Sequence, residues 1–237
     1  MLKFIFNIIV IIKLFPINFK SNNIDLNSTN SNFLNLYIIT HKDFNNNITN
    51  PNYKILCDDY YQLKNNYTLN VINTKNNNEL FEKRIGYSEG SKIYYIWKQY
   101  KNNIIKSKYV GFNHYRRIFN FGNNIPELDK IFKKYDVILN RRFRSKLSLK
   151  KQYYKSHNEK DLNDILNIIK NKFPKYYSMA LKTLCSKKFY IYNIFIMKRE
   201  DFIKYGNFEF TILNEFDKKN NLNSYEDIKN YKKKKKI

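Results

Sequence analysis

The sequence predicts an α/β domain with a mostly parallel or mixed sheet flanked by helices. Three observations lead to this fold class. Apolar runs of strand length alternate with segments of helical periodicity, the chain contains no internal repeat, and its 237 residues are enough for one domain with a real core. With only five glycines and four prolines, the composition is unlike that of collagen or Pro-rich disordered chains.

The chain is expected to divide into three parts. Residues 1–32 combine an apolar stretch at residues 4–17 with an Asn/Ser-rich linker. The apolar stretch is shorter than the roughly 20 residues of a spanning helix; it fits a signal peptide, a membrane anchor or a core element. We expect membrane association through residues 4–17, and a membrane-associated or secretory location rather than a cytoplasmic one. The domain is predicted at residues 33–217 and a Lys/Asn-rich tail at residues 218–237.

Five apolar runs predict the strands of the sheet. The last of these runs is interrupted by Asn193, whose amide needs hydrogen-bond partners if it is buried. The runs lie at residues 33–42, 53–57, 108–119, 135–139 and 189–197.

Three amphipathic segments predict helices. They cover residues 91–105, 161–172 and 199–218, and Ile93, Ile96, Trp97, Tyr100 and Ile104 form the apolar face of the first.

The third strand, at residues 108–119, ends in polar side chains that suggest a site. Its sequence from residue 109 is YVGFNHYRRIF, an apolar body followed by a histidine, a tyrosine and two arginines. Ligands of open α/β sheets bind at the carboxyl ends of strands, so this strand is a site candidate. A strand that runs into a solvated basic turn is the alternative.

The formal net charge of +24 would by itself suggest a nucleic acid, an anionic membrane or a phosphate-bearing ligand. The lysines are spread along the chain and mixed with asparagines, and no zinc-finger, RNP or basic-zipper pattern accompanies them. The sequence therefore predicts no specific nucleic-acid partner.

Several segments, in order, resemble one family. Thr40-His41-Lys42 is similar to the T/H-K sequence that ends the first strand of the family. EGSKIYYIWKQ at residues 89–99 resembles the E-L-T-x-L-Y-W-x-W-K-N helix of the family. Residues 109–119 match its Y-I/V-G-F-x-H-Y-R-R-x-F hallmark. Further similarities lie at residues 135–139, 152–157, 161–162, 174–176 and 192–200. The family is the glycosyltransferase-like domain of unknown function found in capsular and exopolysaccharide loci.

The resemblance implies a single GT-A-like domain that moves a sugar from a nucleotide-sugar donor to a polysaccharide or other glycan acceptor. Gly90 and Lys92 depart from the family helix, which predicts looser packing there. Two alternatives remain open: a non-catalytic basic protein that binds polyanions, and a degenerate family member that binds a saccharide without transferring it.

Candidate site residues follow from the matched positions. A general base for the acceptor hydroxyl would be a carboxylate or histidine, and Glu89, His157 and Asp161 are the candidates. Each has a structural alternative, respectively a helix cap, a loop histidine and a helix N-terminal aspartate. The candidates for substrate binding are His41, Lys42, His114, Tyr115, Arg116, Arg117 and Asn193.

No D-x-D triplet ends any predicted strand, and no metal ligand or cofactor is predicted, although a divalent metal remains open. Arginine offers phosphate a permanently charged, bidentate donor. The hypothesis is that one of Arg116 and Arg117 contacts the donor diphosphate without metal, since adjacent strand residues face opposite sides.

Overall fold

The computed structural model describes residues 33–45, 48–58, 63, 67–75, 78–119, 121 and 125–234. The predicted hydrophobic segment and linker at residues 1–32 lie outside the described residues. In the described part of the chain, no helix has the length and apolar character needed to cross a membrane.

A mixed six-stranded sheet forms the centre of the domain, in the order β3-β2-β1-β4-β8-β5. Strands β1 to β4 pair in parallel, whereas β8 runs antiparallel to β4 and β5. A separate two-stranded sheet pairs β6 with β7. The strands are β1 (Leu34–Ile39), β2 (Tyr53–Cys57), β3 (Asn70–Asn73), β4 (Tyr109–His114), β5 (Val137–Leu139), β6 (Phe143–Arg144), β7 (Lys188–Phe189) and β8 (Phe195–Lys198).

Helices surround the central sheet, as the sequence predicts. They are α1 (Arg84–Tyr87), α2 (Glu89–Lys101), α3 (Leu128–Ile131), α4 (Leu149–Ser156), α5 (Glu159–Lys172), α6 (Pro174–Cys185), α7 (Arg199–Lys219) and α8 (Tyr225–Lys234). The predicted α/β class with a mostly parallel sheet is confirmed.

Both faces of the central strands are buried. In β1, Tyr37 and Ile39 belong to one apolar cluster, while Leu36 and Ile38 belong to a second cluster on the opposite face. This arrangement explains why the central strands appear in the sequence as continuous apolar runs.

Several strand and helix boundaries differ from the prediction. The predicted strand at residues 108–119 ends at His114, so Arg116 and Arg117 lie in the turn after β4 and not on the strand. The apolar run at residues 189–197 is not one strand: Phe189 ends β7, and Tyr192 has a positive φ of 70° before β8 begins at Phe195. Helix α2 ends at Lys101, so Ile104, predicted on its apolar face, is 66% exposed. A positive φ at Asn103 turns the chain away from the helix at that point.

The predicted tail contains α8, which packs onto the domain. The Tyr231 hydroxyl donates to Asp161 Oδ1 at 2.7 Å, and the Lys232 ammonium donates to the Ile85 carbonyl. Apolar Ile228 is also buried. The lysine-rich composition of this segment predicts a solvated tail, although Ile228 and Tyr231 within it pack the helix onto the domain.

Candidate functional site

A cleft of about 310 Å³ lies where β1, β2 and β4 end. These parallel strands all finish at the same edge of the sheet, which is where α/β domains place their ligands. Because β8 runs the opposite way, the segment that precedes it also reaches this edge. The lining residues are Ile39, Thr40, His41, Asp58, Arg84, Ile85, Ser88, Glu89, Lys92, His114 and Arg116.

A sharp bend at Ser88 places Glu89 in the cleft. Ser88 lies between α1 and α2 with φ 54° and ψ −120°, a conformation that L residues rarely adopt. Its backbone N–H donates to the Arg84 carbonyl, and its own carbonyl accepts from the Ser91 hydroxyl at 3.0 Å. The bend makes Glu89 the first residue of α2. Unusual backbone conformations of this kind concentrate at functional sites.

The Glu89 carboxylate is held by two predicted site residues. The Asn193 side-chain amide donates to Glu89 Oε2 at 2.8 Å, and His114 Nε2 lies 3.5 Å from Glu89 Oε1. Asn193 and His114 are both buried, whereas Glu89 keeps some contact with solvent. The polar residue that interrupts the apolar run at residues 189–197 therefore orients the carboxylate.

A tight turn at the end of β4 fixes the orientation of His114. The Arg117 backbone N–H donates to the His114 carbonyl at 2.7 Å, and the Arg116 backbone N–H donates to His114 Nδ1 at 3.1 Å. Because Nδ1 accepts this bond, a neutral imidazole carries its proton on Nε2, the atom that faces Glu89.

The two adjacent arginines lie in different places. Arg116 lines the cleft, whereas the Arg117 guanidinium stacks on Tyr192, with 4.1 Å from its Cζ atom to the ring centroid. Arg84, which the sequence did not identify as a site residue, is a second arginine in the cleft lining, and its guanidinium stacks on Phe81 with 3.9 Å from Cζ to the ring centroid. Its Nη1 donates to the Phe81 carbonyl at 2.9 Å, which helps to position the side chain.

An ion pair between Lys92 and Asp58 forms another part of the cleft lining. The Lys92 ammonium contacts Asp58 Oδ2, and the Thr74 hydroxyl donates to Asp58 Oδ1 at 3.2 Å. The two charged side chains are 4% and 15% exposed, respectively. The predicted looser packing at Lys92 is therefore not observed: this buried side chain joins α2 to the end of β2.

His41, Lys42 and Tyr115 occupy one side of the cleft. His41 lines it, and its ring meets that of Tyr115 at 5.3 Å in a perpendicular arrangement. Tyr115 is itself buried, and the Lys42 ammonium lies 5.7 Å from its ring centroid. Tyr115 thus packs behind His41 in the cleft wall, and Lys42 lies next to the Tyr115 ring.

His157 and Asp161 belong to a different cluster, among α4, α5 and α8. Asp161 is fully buried and accepts the Tyr231 hydrogen bond, while the His157 ring packs 4.9 Å from that of Tyr153. Burial lowers the pKa of His157 to about 4. Neither residue is part of the cleft lining that the described chain forms. Their catalytic role stays a prediction, and of the three carboxylate and histidine candidates only Glu89 lies in the cleft.

Among the described residues, no three His, Cys, Asp or Glu side chains are grouped so that they could hold a metal ion.

Comparison with known proteins places the chain in a family. Residues 35–232 match the family described as "Domain of unknown function (DUF4422)". The apo structure of WbbM, a bifunctional glycosyltransferase, is similar in fold, with a TM-score of 0.61 and 22% sequence identity. The similarity covers 79% of this chain and 37% of the WbbM chain, so the chain spans well under half of that protein's length. No curated protein matches. The chain therefore belongs to the DUF4422 family.

Proposed function

We propose that the protein is a glycosyltransferase that moves a sugar from a nucleotide-sugar donor to a glycan acceptor. The observation that carries this proposal is the Glu89 carboxylate, held by Asn193 at the carboxyl edge of the sheet in a cleft that also contains Arg84 and Arg116. The glycosyltransferase fold of WbbM supports the same reaction class.

Arg84 and Arg116 provide the charge that a nucleoside diphosphate leaving group requires. When the sugar leaves, negative charge develops on the diphosphate, and preorganised cations at that position stabilise the transition state. Guanidinium groups can donate two hydrogen bonds to one phosphate and remain charged at any physiological pH. We propose these two residues as the diphosphate ligands, and donor binding is then expected to persist after metal chelation.

Glu89 is the proposed general base. Its Oε2 accepts from Asn193, and its second oxygen lies 3.5 Å from His114 Nε2, so the carboxylate is fixed in one orientation. An acceptor hydroxyl that reaches this carboxylate can lose its proton as the oxygen attacks the sugar. Positioned bases of this kind typically contribute about 10²- to 10⁴-fold to the rate.

The adjacent arginines provide a matched test of donor binding. Binding of a panel of nucleotide sugars is measured by thermal shift and calorimetry, with and without EDTA, for the wild type, Arg116→Ala and Arg117→Ala. A lost charge-assisted bond is worth about 10- to 100-fold in affinity. We expect this loss for Arg116→Ala and a change of no more than about threefold for Arg117→Ala.

Two results would count against the proposal. If the folded wild type binds no nucleotide sugar in the panel, the enzyme assignment is wrong. If both arginine variants lose the same affinity, the phosphate is bound by diffuse charge and not by the cleft.

A further inference from the structure

The acidic residues of the chain are distributed unevenly. Residues 137–158 contain seven Lys and Arg, and residues 165–199 contain eight, but neither segment contains an Asp or Glu. These fifteen cations make up most of the formal net charge of +24. The excess positive charge is therefore concentrated in two acid-free segments.

The small β6–β7 sheet brings the two acid-free segments together. Phe143 pairs with Phe189 and Arg144 with Lys188, and the Ser145 backbone N–H donates to the Lys187 carbonyl at 2.8 Å. We call the cationic surface formed here the basic edge. It consists of six exposed residues: Arg141, Arg142, Arg144, Lys146, Lys187 and Lys188.

Within the described part of the chain, the charges of the basic edge are not balanced by ion pairs. Directly opposite residues of an antiparallel pair lie close together, so Arg144 and Lys188 repel each other. No ion pair found among the described residues involves any of the six cations. Such a surface is stabilised when an external anionic partner covers it.

An aromatic side chain lies within this surface. Phe143, between Arg142 and Arg144 in the sequence, is 43% exposed. Its ring also packs against buried Phe189, with 5.6 Å between the centroids, so it is only partly open to solvent. No zinc-finger, RNP or basic-zipper pattern accompanies these cations, so the sequence gives no specific reason for a nucleic-acid partner. Cations beside an exposed apolar group are typical of surfaces that bind the headgroup region of a bilayer.

We propose that the basic edge binds the anionic headgroups of a phospholipid bilayer. The inference does not depend on the proposed reaction, since it concerns a different surface. It does have a consequence for the cleft. The basic edge follows the carboxyl end of β5. Between them, the Asn140 side-chain amide donates to the Ile191 carbonyl at 2.6 Å, and Ile191 lies two residues before Asn193 of the cleft. A bilayer bound here would lie at the same edge of the sheet as the cleft.

The test is co-sedimentation of the full chain with phosphatidylcholine vesicles that contain or lack phosphatidylserine, at low and high salt. The quantity compared is the extra binding caused by phosphatidylserine, because this difference subtracts any binding to neutral lipid. The test variant carries Arg142→Gln, Arg144→Gln and Lys188→Gln. The control loses the same charge at the opposite edge of the sheet, before β4 and β5, through Lys106→Gln, Lys133→Gln and Lys134→Gln.

Each cation at an anionic surface contributes roughly fivefold to binding, equivalent to about 1 kcal/mol. The test variant should therefore lose about 100-fold of the phosphatidylserine-dependent binding, and the control should lose less than about fivefold. High salt should release the wild type. Phe143→Ala, which leaves the charge unchanged, should weaken vesicle binding several-fold because it removes apolar contact.

Equal losses in the two triple variants would overturn the proposal, because binding would then follow net charge alone. The proposal is equally wrong if phosphatidylserine adds no binding, or if RNA or an anionic polysaccharide binds in its place. Circular dichroism of each variant confirms that the fold is retained.

Discussion

The ion pair between Lys92 and Asp58 gives a quantitative prediction about the cleft. Lys92→Met keeps the length of the side chain but removes the ammonium group, leaving Asp58 with the Thr74 hydroxyl as its other side-chain partner. Breaking a buried pair from one side typically costs 3–5 kcal/mol. Because Asp58 is partly exposed and keeps the Thr74 bond, we expect about 3 kcal/mol.

This cost should largely disappear in the double variant Lys92→Met/Asp58→Asn, because no unpaired charge remains. We expect it to lie within about 1 kcal/mol of the wild type, so that removing the Asp58 charge recovers about 2 kcal/mol of the loss caused by Lys92→Met. Urea unfolding measures the wild type and both variants. With a slope of about 2 kcal/mol per molar urea, the single variant should unfold about 1.5 M earlier than the wild type.

Lys98→Met is the matched control on the same helix. Lys98 pairs with Glu79 at 2.9 Å, but the two side chains are 35% and 62% exposed, far more than those of the Lys92–Asp58 pair, so the loss should stay below about 1 kcal/mol. The reasoning is refuted if Lys92→Met costs no more than this control, or if the double variant is no more stable than the single one.

Three further predictions concern the helices that support the cleft. Gly206→Ala should destabilise the protein in thermal denaturation by about 1–3 kcal/mol, because its Cβ would lie 2.1 Å from Trp97 Cδ1; at an open helix position the same change would stabilise. Burial raises the pKa of Glu209 from an ordinary 4.5 to about 8, because it disfavours the charged carboxylate. The contribution of this group to the free energy of unfolding is therefore fully present below pH 4.5, and it is lost as the pH rises through 8. Glu209→Gln should therefore be about 3 kcal/mol more stable than the wild type at pH 7 and equal to it near pH 4, as judged by urea unfolding at both values, while exposed Glu200→Gln should change little. Tyr231→Phe should cost about 1–3 kcal/mol in thermal denaturation, because it removes a hydrogen bond to buried Asp161; no change would mean that α8 is not part of the folded domain.

The sequence predicts the features of this protein that depend on local patterns. Continuous apolar runs indicate buried parallel strands, and helical periodicity locates α2, α5 and α7 to within a few residues. The polar end of β4 correctly indicates the edge of the sheet where the cleft lies. Asn193 is recognisable because a buried amide inside an apolar run needs a partner, and that partner is Glu89.

Other features depend on contacts between distant parts of the chain. Asp58 and Lys92 are 34 residues apart, and each by itself resembles an isolated charge. Their opposite charges, one after a strand and one on the buried side of a helix, were the signal that could have paired them. Asp161 looks like a helix N-terminal residue until α8 brings Tyr231 against it. The basic edge is not apparent from the number of lysines, which are spread along the chain; its signal in the sequence is the absence of Asp and Glu from residues 137–158 and 165–199.

The central claim is that Glu89 acts as the general base in the cleft. It is tested most directly by the rate at which nucleoside diphosphate is released from whichever nucleotide sugar of the panel the protein binds. The measurement compares the wild type with Glu89→Gln, which keeps the shape of the side chain but cannot accept a proton. We predict that Glu89→Gln binds the donor with unchanged affinity and releases product at least about 100-fold more slowly. Equal rates for the two proteins would contradict the assignment of Glu89 as the base and of the cleft as the active site.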